Sequence, residues 1–483
     1  MSDCYISHLC TIKKTYQLKF VLFVNDHLPG GRNGQTTGTR LNIVVNVAGG
    51  TRIMSGKAIY WFQTDLRLHD QPILSKLHKS YDELLCIYVI PDRWFKEPFN
   101  LGFNRLGPYR KRFLYETLID LNNSLQRLGQ RLVVKAGDPS KVLSNYYREY
   151  NIDKVFTHDQ YAFEELQDLE KLQMSIGKRN LIIGNTKLMV SELSLPFTLE
   201  ELPFSFTSFR KKVEDVFKVD NDDMNCTSLP PALESLSGED WPAEIVPDLN
   251  EGVSNPETAF PFKGGEYEAL SRLKEYIWDT ENILHYKSTR NGMVGVDYSS
   301  KFSPWLSNGS LSPRRVYYEI KRFEESVKSN ISTYWLVFEL LWRDFFQLQS
   351  LKFQSDFFKV NGIKHREKEW NYDQKLFEQW RSGNTGNDFI DANMIELLST
   401  GFMSNRGRQN VASWLAHEYK IDWRWGAYWF EHCLVDHDPS SNYGNWMYIS
   451  GIGNDSVADR RFNAELQAHK YDRQHRFVNL WLN

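Results

Sequence analysis

The residues best able to do chemistry lie in one stretch, Asp436-His437-Asp438-Pro439-Ser440-Ser441-Asn442-Tyr443-Gly444-Asn445-Trp446-Met447-Tyr448. Two carboxylates stand two apart, an amide follows, and a Trp and a Tyr are separated by one residue. Acceptors, an amide and two large rings packed so densely suit a flat cofactor with polar edges, such as a flavin. A second stretch, Trp335 to Phe346, carries Glu339, Trp342, Arg343 and Phe346 at helical spacing, so they share one face. The opposite face is apolar too, which predicts a buried helix. A buried Glu and Arg need partners. Glu339 and Arg343 either satisfy each other or serve a ligand.

Ser299, Ser300 and Ser303 surround Lys301 and Phe302 just ahead of a helical pattern. Hydroxyls, free backbone N–H groups and one cation suit a diphosphate, and ordinary capping by serine is the alternative. Asn405, Arg406, Gly407 and Arg408 open another helix. Those arginines could pair with Asp436, touch nucleic-acid phosphates, or lie in a solvated turn. Trp370, Trp423 and Trp446 sit in separate segments, as core residues or as a path for an electron. His432, Cys433 and His437 lack zinc-ligand spacing, so no metal site is expected. Gly451-Ile452-Gly453 lacks the third glycine of a dinucleotide fingerprint.

Two kinds of architecture must position these groups. Apolar runs at 58–62, 84–90, 132–134, 154–157 and 181–183 alternate with helical patterns at 106–128, 140–150 and 163–176. That alternation predicts a parallel five-stranded, Rossmann-like α/β domain over 57–190. Ligands of such sheets sit at the carboxyl ends of strands, where His158 to Glu165 falls. Residues 191–262 are rich in proline and lose periodicity. They read as a connector laid over the surface, with a short helix within 205–218. Residues 263–483 read as all-α, with helical spacing at 266–282, 312–327, 331–350, 373–382, 389–400, 404–419 and 423–435. Residues 1–56 carry six Lys or Arg against Asp3 and Asp26. They are expected to be a flexible leader, a transit segment, or a region upstream of an alternative start at Met54.

Composition fits a globular chain of two domains: 483 residues, 41% hydrophobic and 25% charged. A net charge of −3 confines any nucleic-acid contact to a local cationic face. The five cysteines are scattered, which points to a reducing, intracellular compartment, with mitochondrial, nuclear and cytoplasmic addresses all open. No apolar run approaches the roughly 20 residues that span a bilayer.

Several long stretches resemble the photolyase/cryptochrome family, and within it the DASH-type cryptochromes. They are Tyr60 to Arg67, Thr289 to Gly292, Lys301 to Leu306, Glu339 to Phe345, Gly401 to Gln409, Ile421 to Gly426 and Asp436 to Tyr448. The resemblance runs from about Lys57 to about Asp472 and leaves out the leader. It implies an FAD, bent into a U, in the helical domain. Tyr286, Ser299, Ser300, Lys301, Phe302 and Ser303 would hold its phosphates, and Arg343 would belong to the same cofactor site. Arg408, paired with Asp436, would flank the isoalloxazine, Asp438 would meet its edge, and Asn442 would face N5. Trp446, Trp423 and Trp370 would form the photoreduction chain.

The implied substrate is DNA carrying a cyclobutane pyrimidine dimer, split by an electron from the reduced, blue-light-excited flavin. Glu339 would hydrogen-bond a dimer carbonyl, Asn405 would help hold it, and Trp342 and Tyr448 would pack against it. Tyr448 stands where ordinary photolyases have a second Trp, which favours single-stranded DNA and leaves duplex repair open. An antenna, 5,10-methenyltetrahydrofolate, is expected at Glu165, although His158 to Glu164 departs from the commonest pattern. A monomer is expected. The alternative function is a blue-light photoreceptor. The sequence leaves contacts with RNA or with signalling proteins open. Glu339 and Asn442 favour repair over the photoreceptor, and the repair reading requires the two to line one cavity.

Overall fold

Each strand is short and apolar, and alternate residues enter different cores. In β1 (Lys57–Phe62), Ala58, Tyr60 and Phe62 join Leu118, Leu121 and Leu125 of the Pro108–Gln126 helix. Ile59 and Trp61 face the other way, into a core with Leu143, Leu169 and Leu172. Both faces of the strand are therefore covered, which is why it reads as a continuous apolar run. The computed structural model describes residues 56–221, 224–233, 240–455 and 461–483. Apart from Gly56, the basic leader lies outside them.

The other strands are β2 (Glu83–Pro91), β3 (Leu132–Gly137), β4 (Lys154–His158) and β5 (Leu181–Gly184). All neighbours pair in parallel, in the order β3-β2-β1-β4-β5, with Ile59 opposite Leu85 on one side and Val155 on the other. The helices Pro139–Glu149 and Phe163–Ile176 complete the α/β layer. The strand order reverses between β1 and β4, where such sheets open a crevice. Here the helical region fills the β1 side of that crevice. Arg67 Nη1 donates to Gly309 O at 2.8 Å, and a Cβ on Gly309 would lie 1.9 Å from Thr64 O. Gly309 has φ +75° as well, so only glycine suits it.

The connector is not confined to the surface. Its helix, Phe206–Val213, buries Phe206, Phe209 and Val213 in the core of the helical region. An i, i+3, i+7 apolar spacing on so short a helix is enough to anchor it there.

Beyond the connector the chain is helical. The long Ile331–Phe353 helix is buried through most of its length and starts at a capping box on Asn330. Around it lie Glu266–Lys274, Pro313–Ser326, Gln374–Arg381, Asp388–Thr400, Asn405–Ser413 and Trp423–Cys433. Among the described residues, five α-helices fall outside the segments with helical spacing: Tyr286–Thr289, Ser303–Asn308, Pro439–Ile449, Ala464–Tyr471 and Arg476–Leu482. The first three border the site. Among the described residues, no helix is long and apolar enough to cross a membrane.

Candidate cofactor and substrate site

A cavity of about 280 Å³ opens among the helices. Tyr286, Ser299, Ser300, Lys301, Phe302 and Ser303 form one wall, and Glu339, Arg343, Asn405, Arg408, Asp436 and Asp438 lie among the remaining lining. A smaller lobe of about 100 Å³ is lined by Asn442 and Trp446, among others. Both lobes share Asn405, Arg408, Asp436, Asp438 and Ser441, so they adjoin. Glu339 and Asn442 therefore face adjoining lobes, not the same one.

The lining is charged and partly unsatisfied. Arg408 Nη2 donates to Asp436 Oδ2 at 2.9 Å, and Ser303 Oγ donates to the same oxygen at 2.7 Å. Among the described residues, Asp436 Oδ1, Tyr298 Oη and Lys301 Nζ are buried without a hydrogen-bond partner. Unpaired buried polar atoms cost stability unless a ligand completes them. Lys301 is 2% exposed, and its ammonium lies 3.1 Å from the centre of the Tyr298 ring. Its backbone is left-handed, at φ +63°, the kind of strain a surrounding structure holds at a site. Burial lowers the Lys301 ammonium well below its usual range, opposed by the charge of Glu396. Burial also pushes the Glu396 carboxyl up to about 8, held back by Lys301 and Arg408.

Arg343 does not pair with Glu339. Its Nη1 donates to Lys187 O at 2.7 Å, which ties the long helix to the segment after β5. Asp438 caps the Pro439–Ile449 helix by accepting from Ser441 N at 2.7 Å, and it also accepts from Gln347 Nε2 at 2.9 Å. Asn442 Nδ2 donates to Ala427 O at 2.9 Å, so the orientation of this amide is fixed.

Glu339 stands at the rim, its side chain 27% exposed. Arg290 Nη1 approaches Glu339 Oε1 to 2.6 Å. That oxygen receives no aligned N–H, so the contact is ionic rather than a hydrogen bond. Trp342 and Tyr448 meet edge to face at 6.2 Å, and neither lines either lobe. One face of Trp342 is covered by Phe206, stacked at 3.7 Å. Asn405 is exposed at the first turn of its helix, which Ser404 caps.

Comparison with known proteins decides what the site belongs to. The family model described as DNA photolyase matches residues 58–231, and the FAD binding domain of DNA photolyase matches 335–483. "Cryptochrome DASH" of Synechocystis sp. is 42% identical over 88% of this chain and 87% of its own length. "Cryptochrome DASH, chloroplastic/mitochondrial" of Arabidopsis thaliana is 42% identical over 88% of this chain and 75% of its own. The chain belongs to the photolyase/cryptochrome family, with the DASH cryptochromes as its relatives. The crystal structure of the Synechocystis sp. cryptochrome superposes with a TM-score of 0.80 at 39% identity, covering 89% of each chain.

As a DASH-type photolyase/cryptochrome, the chain has an FAD-binding helical domain. The hydroxyl-and-cation wall with Lys301 Nζ buried and without a hydrogen-bond partner fits the phosphates of that dinucleotide. Trp446 lines the smaller lobe, and its ring contacts run to Trp380 at 6.1 Å and Phe430 at 5.1 Å. Trp423 is fully buried and meets Tyr443 at 5.7 Å. Asn371 N donates to Lys420 O at 2.6 Å, which brings the neighbouring Trp370 beside the start of the Trp423 helix. Glu165 lies apart from both lobes, in the first turn after β4, with Arg93 Nη2 3.7 Å from its carboxylate. Arg290, Tyr298, Glu396 and Gln347 carry no expectation from the sequence: Arg290 and Tyr298 adjoin expected site residues, but nothing in their spacing points to Glu339 or to the Lys301 ammonium.

Proposed function

We propose that this chain is a deoxyribodipyrimidine photolyase, a carbon–carbon lyase that repairs cyclobutane pyrimidine dimers, with single-stranded DNA preferred. The reading is carried by the two adjoining lobes, one lined by Glu339 and the other by Asn442, which share Arg408, Asp436 and Asp438. When bound and reduced, the flavin supplies, under blue light, the electron that splits the dimer. The chain's own groups do the rest. Lys301 and the serines at 299, 300 and 303 hold a diphosphate. Asp436 orients Arg408 at the join of the lobes. Asn442, its Nδ2 engaged by Ala427, presents its carbonyl oxygen to the smaller lobe. Glu339 hydrogen-bonds a dimer carbonyl, Asn405 helps hold it, and the Trp342–Tyr448 corner excludes water. Trp446, Trp423 and Trp370 carry electrons inward for photoreduction.

The Phe163–Ile176 helix places Glu165 beside the carboxyl end of β4, which supports an antenna there. We assign it to 5,10-methenyltetrahydrofolate, sharing Glu165 with Arg93.

The test is direct. Chemically reduced protein is mixed with dimer-containing oligonucleotides, single- and double-stranded, and illuminated. Recovery of thymine absorbance, faster on single strands, is expected. No recovery on either substrate leaves the photoreceptor reading, which the relatives' name "cryptochrome" favours.

A further inference from the structure

Glu339 poses a chemical problem that the repair reading leaves open. A carbonyl oxygen of a pyrimidine only accepts hydrogen bonds, so Glu339 must carry a proton to bind one. In the free protein its carboxyl is instead in ionic contact with Arg290, 2.6 Å away. Burial raises the Glu339 carboxyl, and the Arg290 charge is the first force pulling it back down. The cation therefore holds the carboxyl toward the charged form, which cannot donate.

The geometry lets that cation leave. Arg290 is the C-terminal cap of the Tyr286–Thr289 helix, a single turn at the rim, and its side chain is 20% exposed. It lies close enough to Arg406 for the two charges to repel, and Lys287 sits over the Trp335 ring at 4.3 Å. Arg290 itself lines the cavity, and with Lys287 three residues before it and Arg406 nearby it forms a local cationic group, which is where a phosphate backbone would arrive. The other charged groups lining the cavity are Lys301, Arg343, Arg408, Asp436 and Asp438, with Tyr286 the phenol nearest Glu339. Among the charged groups only Arg290 touches Glu339, and the Trp335 indole also pulls its carboxyl down.

We propose that Arg290 is an exchangeable counter-ion of Glu339: it keeps the carboxyl charged in the free protein, and its transfer to a nucleic-acid phosphate leaves Glu339 to take one proton from solvent and donate it as a hydrogen bond to the damaged base. Arg290 is a positioning residue, and this role rests on the repair reading of the cavity. No covalent bond changes. One ion pair is exchanged for another, and one proton is taken up.

The experiment measures affinity for dimer-containing and intact single-stranded oligonucleotides against pH and salt, using full-length flavin-bound protein in the dark. For the natural chain, dimer affinity should fall about tenfold per pH unit over the window in which the free carboxyl is charged. Glu339→Gln should flatten that profile. Arg290→Gln should move its onset to higher pH and reduce the salt slope by about one phosphate contact, and Arg290→Lys should restore both. Retained flavin absorbance shows that each variant is folded. Dimer-selective binding with a flat pH profile in the natural chain overturns the exchange alone. An Arg290→Gln onset identical to the natural one does the same. Equal affinity for damaged and intact strands overturns the exchange together with the repair reading.

Discussion

At the scale of single residues, the site works by placing charge where only a ligand can complete it. Asp436 is nearly inaccessible, yet it holds both Arg408 and Ser303 on one oxygen. Replacing Arg408 by Ala leaves that carboxylate buried without its cation, at a cost of about 3–5 kcal/mol. The expected result is a lowered unfolding midpoint and loss of flavin on gel filtration. Glu339→Ala removes a hydrogen bond worth about 1–3 kcal/mol to a buried acceptor. Dimer repair should drop while the flavin spectrum stays unchanged, and an unchanged repair yield would remove Glu339 from its assigned role. The Glu396 carboxyl, pushed up to about 8, is protonated in the fold at neutral pH. A raised carboxyl adds stability below its unfolded value near 4.5 and loses it as pH climbs through about 8. In flavin-free protein, Glu396→Gln should therefore gain stability relative to the natural chain across that interval, as read from denaturant midpoints at several pH values.

At the scale of elements, close approach fixes where Trp446, the first residue of the proposed electron path, can sit. Gly426 lies in the Trp423–Cys433 helix, and a Cβ there would fall 2.2 Å from Trp446 Cη2 and 2.6 Å from Leu415 Cδ2. Gly426→Ala should cost about 1–3 kcal/mol through overpacking and slow photoreduction by displacing Trp446. Trp423→Phe should slow photoreduction as well, while chemically reduced protein keeps its repair activity. Both are measured by flavin bleaching under blue light. The elements differ in how far the sequence declares them. β1 was expected at 58–62 and spans Lys57–Phe62, because a strand buried on both faces is one uninterrupted apolar run. The Pro439–Ile449 helix was illegible because Ser440, Ser441, Asn442 and Asn445 dilute its apolar stripe. Three of them, Ser441, Asn442 and Asn445, line the cavity, so the needs of the site dilute the pattern. Arg290 with Glu339 and Phe206 with Trp342 were invisible for another reason. Each pair joins distant segments, and no local spacing encodes such a meeting.

At the scale of the whole molecule, the α/β layer and the helical region are locked through buried charge. Asp70 is fully buried, Arg314 Nε and Nη2 donate to its two oxygens at 2.8 and 2.6 Å, and Ser312 Oγ donates to it as well. Asp70→Ala should cost about 3–5 kcal/mol by stranding Arg314, and much of that should return in Asp70→Ala/Arg314→Met. Thermal unfolding of the two variants checks both halves of the claim. The wall of Tyr286 and residues 299–303 lies upstream of the 335–483 segment that matches the FAD-binding family model. On the proposed role of that wall, the segment carries only part of the chromophore cage. Excised or transplanted alone into another scaffold, it should emerge colourless, so a recombination breakpoint near residue 335 would separate pigment from protein.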